Sequence, residues 1–486
     1  MSKYLKKILE YSANTFFNKL LLLLLLPLFT RWLIPEEYAI YTNLLVFTSF
    51  AGLIYMLGQQ QAVFSYFYFK KTDDYHFTYI SSIFVTIISV GIVLSLLVIL
   101  FRHQLSIFVL RTSKYSHLFI PVSILLFCDV LLGLTLSILN IMEKSSSFLK
   151  IGMIKNSMFF LFIISCVIIK GFSIEWIFIF LAISSFVSAL CGLITIRKIL
   201  NRFSCKHAKK CYFSLSRIKT LLAFGIIMIP GTLAMISLRL SDRWMLTYFS
   251  PNSLYDVGIY AVGYKIGMII TIVNSLVSLV CFPYAMKIKD PKSAKKVFTK
   301  IFNYYVLFGG FIGIIIVVFA PEIFKIFIDK TYFSAAKLVI FGVASNFLLG
   351  IYNIINLVLY MNQKAINITI AVAIGAASNL LLNYLLIPTF GVNGAGYASI
   401  IAYSIIVICN YYYSRKVFQM KYKIEYVSVV LLCLIAISYI TCLLPTTWMI
   451  STAKLLIILF ISYLMFKHIV KSHDKIFIKK LFVQKY

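Results

Sequence analysis

Fourteen long apolar runs constrain this chain more than any other feature of its sequence. Each has about 20 mostly apolar residues, the length that a helix needs to cross a bilayer. Of the 486 residues, 61% are hydrophobic and 13% are charged, whereas soluble domains carry about 25% charged residues. The runs are continuous rather than alternating, which excludes β-barrel strands. The sequence therefore predicts an all-α polytopic membrane protein with about 14 transmembrane helices.

The predicted spans cover most of the chain. They lie at residues 12–33, 40–63, 77–101, 117–141, 151–170, 174–196, 220–241, 257–284, 299–321, 335–360, 365–388, 394–414, 424–444 and 450–466.

The basic residues predict how these helices are oriented. When both termini are placed in the cytoplasm, 32 of the 46 Lys and Arg residues fall in cytoplasmic segments and 10 in outer segments. This asymmetry follows the positive-inside rule. The largest cytoplasmic loop, Arg197–Lys219, is expected to rest against anionic lipid headgroups. A nucleic-acid partner is not expected, because the basic residues lie between apolar runs and form no nucleic-acid-binding motif.

Catalytic and metal-binding motifs are not found in the sequence. Cys205, His207 and Cys211 share one loop, but a metal site needs more ligands at a better spacing. No zinc-protease, nucleophile-elbow or phosphate-loop motif occurs, and the loops predicted to lie outside are short. We therefore predict that the protein is not an enzyme and that it uses no metal or other cofactor.

Three short similarities at nearly one offset indicate an internal repeat. Because six spans separate the copies, both have the same orientation, and an axis along the membrane normal would relate them. The paired segments are Asp129–Gly133 with Asn346–Gly350, Glu37–Tyr41 with Asp256–Tyr260, and Gly171 with Gly391.

The repeat predicts two six-helix lobes followed by two extra C-terminal helices. The N-terminal lobe takes residues 1–197, a basic cytoplasmic linker takes 198–219, and the C-terminal lobe takes 220–417. Residues 418–486 hold spans 13 and 14 and a cytoplasmic tail. A binding site is expected between the lobes.

Ionisable residues within spans are costly and are therefore functional candidates. They are Lys19, Asp129, Lys155, Arg239 and Lys265. Their summed charge is positive, so the sequence predicts a cavity that binds an anion, with Lys19, Arg239 and Lys265 contacting the substrate.

Polar stripes accompany two of these lysines. Asn14 and Asn18, together with Tyr11 and Thr15, share a helical face with Lys19, and the alternative is a lysine that reaches the headgroups. Lys265 borders a second stripe, which indicates that this face lines a cavity. The second stripe consists of Tyr260, Tyr264, Thr271, Ser275 and Ser278.

The remaining charged residues have several interpretations. Asp129 is a partner for Lys19 or Lys155, a protonatable coupling site, or a carboxyl that burial keeps neutral. For Lys155, a side chain that reaches the headgroups is favoured. Asp242 and Arg243 are predicted to form a structural ion pair at the outer end of span 7, and Arg239 lies deeper.

Several segments resemble the Wzx-type flippases, the polysaccharide biosynthesis proteins of the MOP exporter superfamily. The resemblance covers essentially the whole chain, although Ala39 stands where that family usually has Gly. The segments are Ser241–Phe249, Val257–Tyr264, Leu28–Arg31, Pro35–Tyr38 with Tyr41, and Pro388–Ala398.

The resemblance implies a flippase that works by alternating access in the bacterial inner membrane. Its substrate would be an oligosaccharide linked to undecaprenyl pyrophosphate, moved to the outer leaflet for O-antigen (lipopolysaccharide), capsule or exopolysaccharide synthesis. The polysaccharide polymerase machinery is a possible partner. The alternatives are a cation-coupled multidrug exporter of the same superfamily and a membrane-embedded glycan polymerase or ligase.

The orientation is testable by labelling. In a cysteine-free background, Ser204→Cys should resist a membrane-impermeant thiol reagent in intact cells and should react after the cells are opened, because the charge asymmetry places this loop in the cytoplasm. Efficient labelling of intact cells would reverse the predicted orientation.

Overall fold

Helices occupy nearly all of the chain that the computed structural model describes. The described residues are 3–60, 62–63, 73–169, 171–203, 215–277, 291–418, 422–443 and 447–471, and no strand occurs among them. This is the expected result for a membrane protein, because a helix satisfies its own backbone hydrogen bonds where no water is available.

The helices are numbered in chain order. They are α1 Lys3–Trp32, α2 Pro35–Met56, α3 Asp73–Leu100, α4 Arg102–Leu110, α5 Phe119–Ile141, α6 Ser145–Ile169, α7 Ile174–Phe203, α8 Leu215–Phe249, α9 Ser253–Gly267, α10 Pro291–Val318, α11 Ala320–Phe327, α12 Val339–Met361, α13 Ala365–Phe418, α14 Glu425–Leu443 and α15 Trp448–Lys471. Short 3₁₀ turns lie at Ser116–Leu118, Met268–Ile270 and Lys330–Leu338.

The prediction of an all-α polytopic membrane protein is confirmed. Each predicted span falls on a helix, and within the described residues 10 helices are long and apolar enough to cross a membrane. The spans predicted at 365–388 and 394–414 both lie in α13, which breaks at Gly391 (φ 55°, ψ −131°). Only glycine adopts this conformation without strain. The count of fourteen spans stays a prediction.

The chain divides into two compact units by its internal contacts. The N-terminal unit consists of Lys6–Leu25 and Trp32–Tyr248, and the C-terminal unit consists of Phe249–Tyr486 with Met1–Leu5 and Leu26–Arg31. The units therefore divide near Phe249, and α8 belongs with the N-terminal helices. Residues 204–214 of the predicted linker lie outside the described residues. The division into two six-helix lobes stays a prediction.

Each unit contains a similar short helix and a similar turn. The helices α4 and α11 both follow a phenylalanine outside the regular helical region, Phe101 (φ −94°, ψ 20°) and Phe319 (φ −93°, ψ 5°). Glu143 and Gln363 each adopt a left-handed conformation, with φ 55° and 56°, in the turn after α5 and α12. These positions are 218 and 220 residues apart, in agreement with the spacing of the sequence similarities.

One buried helix lies at the centre of each unit. The helix α5 packs against α2, α3, α6 and α7, and α12 packs against α9, α10 and α13. Gly342 of α12 brings two backbones together, because a Cβ there would lie 2.4 Å from the Tyr264 carbonyl oxygen and 3.0 Å from the Gly267 Cα. Small residues allow this approach, which is a main source of helix association in membranes.

A buried ion pair joins α11 to α15 in the C-terminal unit. Lys454 Nζ donates to Glu322 Oε1 at 2.8 Å and to the Val318 carbonyl oxygen at 3.3 Å. Ser451 Oγ donates to the same Glu322 oxygen at 2.9 Å. Lys454 is only 8% exposed. The pair therefore holds the last helix onto the short helix α11.

Removing Lys454 should loosen α15. In Lys454→Met the buried Glu322 carboxylate loses its cation, which costs about 3–5 kcal/mol. Hydrogen–deuterium exchange over residues 448–459 should speed up accordingly. In the double variant Lys454→Met/Glu322→Leu no buried charge remains, and protection should return. Unchanged exchange in the single variant would contradict this assignment.

Candidate functional site

A cavity of about 350 Å³, lined by both polar and apolar residues, lies between α2, α5 and α8 of the N-terminal unit. Its volume is at the lower end of the roughly 300–1,000 Å³ range typical of small-molecule sites. Asp129, midway along α5, is the charged residue of its wall. The lining residues are Thr48, Ser49, Gly52, Leu53, Met56, Gly58, Gln60, Leu126, Asp129, Val130, Gly133, Ile229, Thr232 and Ile236.

Helical spacing brings these side chains to one place. Residues three or four positions apart share a face of a helix, and the lining positions of α2, α5 and α8 follow this spacing. On α2, the hydroxyls of Thr48 and Ser49 donate to the Leu45 carbonyl oxygen at 2.8 and 2.9 Å. Because their protons are used within the helix, these hydroxyls offer oxygen lone pairs, which accept hydrogen bonds.

Asp129 forms an ion pair with Lys155. Lys155 Nζ donates to Asp129 Oδ1 at 2.6 Å. The span predicted at residues 151–170 places Lys155 near the start of its helix, which favours a side chain that reaches the headgroups. The helix α6 begins at Ser145 instead, so Lys155 lies roughly 15 Å from the start of the helix. At that position its ammonium group binds Asp129 rather than the headgroups. A charge-assisted bond of this kind compensates part of the cost of placing both charges inside the protein.

The polar face of α1 packs against α6. Asn156 Nδ2 donates to Asn18 Oδ1 at 2.8 Å, and Ser145 Oγ donates to Glu10 Oε2 at 2.5 Å. Asn14 is 5% exposed and fills the space beside Gly152. In this structure Asn14 and Asn18 therefore hold two helices together. Their role in lining a cavity stays a prediction, and the side chains of Tyr11 and Thr15 lie outside the described residues.

Two predicted cations of the N-terminal unit lie near each other. The positive charges of Lys19 on α1 and Arg239 on α8 are close enough to interact. Arg239 follows the cavity-lining Ile236 by one turn of α8. Like charges repel each other, more strongly where water is scarce. A bound anion would relieve this repulsion.

Aromatic residues hold the C-terminal end of α8. Tyr248 Oη donates to the Phe108 carbonyl oxygen at 2.5 Å, and the Trp244 ring lies 5.2 Å from the Phe108 ring. Arg111 Nη1 donates to the Tyr248 carbonyl oxygen at 3.2 Å. Asn43 Nδ2 of α2 donates to Thr247 Oγ1 at 2.8 Å. Part of the segment Ser241–Phe249 thus has a packing role, which sequence reasoning missed because it did not predict α4.

Asp242 and Arg243 lie at this end of α8. They are 2% and 8% exposed, and Arg243 Nη1 donates to the Arg239 carbonyl oxygen at 3.3 Å. Their burial agrees with a structural role, and the ion pair between them stays a prediction.

The N-terminal part of α8 meets α2 at two glycines. A Cβ added at Gly58 would lie 2.1 Å from the Gly225 carbonyl oxygen, and one added at Gly225 would lie 2.4 Å from the Leu57 carbonyl oxygen. Leu57 (φ 49°) and Gly58 (φ 67°) end α2 in a left-handed turn. The helix α8 is therefore held at both ends, and the cavity lies between these contacts.

The predicted site residues of the C-terminal unit lie on or just after α9. Tyr260 and Tyr264 are buried with their rings 5.5 Å apart, so the structure does not place them on an open surface. Lys265 is half-buried. Ser275 Oγ donates to the Thr271 carbonyl oxygen at 2.8 Å. Contact of these side chains with substrate stays a prediction, and Ser278 lies outside the described residues.

A buried polar network near α9 was missed by the sequence analysis. Tyr305 Oη donates to Asn274 Oδ1 at 2.7 Å and to the Phe347 carbonyl oxygen at 3.0 Å. Asn274 Nδ2 donates to the Asn346 carbonyl oxygen at 2.8 Å. The signal in the sequence was Asn346 itself, the counterpart of Asp129 in the repeat.

The described residues include no group of three or more side chains suited to a metal ion. Cys205, His207 and Cys211 lie outside the described residues.

The fold defines a polytopic α-helical membrane protein. Residues 4–289 match the family described as polysaccharide biosynthesis protein, and the chain belongs to this family. A curated relative, the uncharacterized membrane protein MJ1068 of Methanocaldococcus jannaschii, is 28% identical over 246 residues. That match spans 48% of this chain and 45% of the relative.

Two solved structures share the fold. The lipid II flippase MurJ in an inward closed conformation aligns with a TM-score of 0.68 at 17% identity, over 95% of this chain and 99% of its own. An inward-facing MATE multidrug resistance transporter of the MOP superfamily aligns with a TM-score of 0.61 at 15% identity. That alignment covers 85% of this chain and 95% of the transporter. The fold is therefore that of MurJ and the MATE transporters, as the resemblance implied.

The ion pair in the cavity wall should contribute to stability. In Lys155→Met the Asp129 carboxylate, whose side chain is 38% exposed, remains without its cation, which should cost about 1–3 kcal/mol. The temperature at which half of the detergent-solubilised protein leaves its size-exclusion peak should fall. Asp129→Asn/Lys155→Met removes both charges and should recover most of the loss. An equal loss of thermal stability in the single and double variants would show that the charge pairing does not contribute to stability.

Proposed function

We propose that the protein moves an oligosaccharide linked to undecaprenyl pyrophosphate from the cytoplasmic to the outer leaflet by alternating access. Its product would serve the synthesis of a surface polysaccharide such as O-antigen, capsule or exopolysaccharide. Family membership supports a role in polysaccharide synthesis. The shared fold with a flippase whose name specifies lipid II supports a lipid-linked substrate.

The observation that carries the proposal is the proximity of Lys19 and Arg239. Two like charges repel each other where water is scarce, and an anion bound between them would lower that repulsion. Arg binds phosphate oxygens through a planar fork and Lys as a point charge, so this pair suits a pyrophosphate group. Lys265 in the C-terminal unit is proposed as a further cation for the same substrate.

The proposed setting follows from the charge asymmetry and the family. The protein would lie in the bacterial cytoplasmic membrane with both termini in the cytoplasm. Anionic lipids would contact its basic loop, and the polymerase machinery would receive its product.

A cation-coupled multidrug exporter is the second candidate, because MATE transporters share the fold and Asp129 lines a cavity. The Lys155 ammonium group weighs against it, since it neutralises the acid that a cationic drug or a coupling ion would use. No contact favours a membrane-embedded glycan polymerase or ligase.

Charge reversal should abolish transport. In proteoliposomes that contain the accumulated lipid-linked oligosaccharide of a strain lacking this gene, Lys19→Glu and Arg239→Glu should each lower flipping at least tenfold, because a carboxylate repels pyrophosphate. Lys265→Arg should be milder, since it keeps the charge and changes the geometry. Flipping is measured as the fraction of oligosaccharide that becomes accessible to an added glycosidase.

The two candidates predict different results in this assay. Normal flipping by a Lys19→Glu/Lys265→Glu double variant would remove the anion-binding idea. Ion-gradient-driven uptake of ethidium by the wild-type protein, with no flipping of the lipid-linked oligosaccharide, would favour the exporter.

A further inference from the structure

We infer that the cavity between α2, α5 and α8 is a saccharide subsite, which binds one sugar residue of the transported lipid. The inference rests on the proposed function and extends it from the phosphate to the sugar. None of the predicted cations Lys19, Arg239 and Lys265 is among the residues that line this cavity, so it differs from the proposed phosphate site.

Three polar side chains of the wall accept hydrogen bonds, and Gln60 adds an amide that both donates and accepts. Thr48 and Ser49 use their hydroxyl protons within α2 and present oxygen atoms that accept. The Asp129 carboxylate accepts only. Sugars carry many hydroxyl donors, and amino sugars also carry amide N–H groups. A donor-rich polyhydroxyl ligand therefore fits this wall.

The same wall disfavours phosphate. A phosphate group brings acceptor oxygens and negative charge, and it would face the Asp129 carboxylate across the cavity. Lys155 compensates the charge of Asp129, so the site is close to neutral overall. A site that is close to neutral, with the acceptor oxygens of Thr48, Ser49 and Asp129, favours a neutral ligand, and the pyrophosphate is assigned to Lys19 and Arg239.

Small residues give the cavity room for a ring. A Cβ placed at Gly52 would meet no atom within 4 Å, so this glycine faces open space. Gly133 on α5 has no side chain to occupy the cavity. A Cβ there would lie 3.3 Å from the Met56 methyl carbon. The volume of about 350 Å³ suits a single sugar residue rather than a whole oligosaccharide.

The distance to the cationic pair fits a sugar attached to pyrophosphate. Thr232 and Ile236 line the cavity, and Arg239 follows them on α8. At 1.5 Å per residue, Thr232 and Arg239 are roughly 10 Å apart along the helix axis. A lipid whose pyrophosphate lies at Arg239 can therefore place its first sugar beside Thr232.

The test fills the cavity without disturbing the fold. Gly52→Val adds a side chain where the structure has open space, and Gly171→Val is the matched control, because a Cβ there also meets nothing within 4 Å and the residue lies away from the cavity. The probes are undecaprenyl pyrophosphate, the lipid-linked oligosaccharide accumulated by the deletion strain, and phosphatidylglycerol. Affinities are measured by native mass spectrometry of the detergent-solubilised protein.

The wild-type protein and Gly171→Val should bind the oligosaccharide-bearing lipid about tenfold more tightly than undecaprenyl pyrophosphate, the effect of one or two hydrogen bonds. Gly52→Val should bind the lipid-linked oligosaccharide no more tightly than undecaprenyl pyrophosphate, because the added side chain fills the cavity. Asp129→Asn/Lys155→Met, which removes both charges of the pair, should reduce the preference for the oligosaccharide-bearing lipid.

Three outcomes would overturn the subsite: a preference that Gly52→Val retains, a wild-type protein with no preference, or a Gly52→Val defect equal for both lipids. Phosphatidylglycerol binding that Gly52→Val alone abolishes would assign the cavity to a glycerol headgroup instead. If the wild-type protein binds neither undecaprenyl lipid, the proposed function itself fails and the subsite with it.

Discussion

No water reaches the core of a bilayer, and this absence governs both the backbone and the side chains of the protein. Backbone groups are satisfied by long helices. Polar side chains then need partners from neighbouring helices, because an unpaired polar group in this environment is costly. Lys155 forms an ion pair with Asp129, Lys454 forms one with Glu322, and Tyr305 donates a hydrogen bond to Asn274. These contacts fix which helix faces meet, since apolar side chains gain little from each other in lipid.

Glycine supplies the second kind of contact. Where two backbones approach, as at Gly58 with Gly225 and at Gly342 with Tyr264, a methyl group would prevent the approach. Such contacts hold α8 near its N-terminal end, while Trp244 and Tyr248 hold it at its C-terminal end. The helix between these points forms one wall of the cavity.

Charge is arranged differently at two places in the N-terminal unit. At the cavity an acid and a base neutralise each other, and nearby two bases repel each other. The first arrangement is stable without a ligand and the second gains from an anion. A substrate that joins a charged phosphate to a neutral sugar matches both arrangements, which is the physical basis of the function proposed for this member of the polysaccharide biosynthesis family.

Length and hydropathy by themselves determined the all-α membrane fold, because a run of about 20 apolar residues has few alternatives to a helix in a bilayer. Spacing also indicated the repeat, and charge singled out Lys19, Asp129, Lys155 and Arg239. Which of these side chains meet was decided only by the tertiary structure. Asp129 could pair with Lys19 or Lys155, and the early start of α6 brought Lys155 to it. Likewise Asn14 and Asn18 formed a polar stripe, but only the packing of α1 turned that stripe toward α6. Periodicity fixes which residues share a face, whereas the partner of that face depends on contacts between helices distant in the chain.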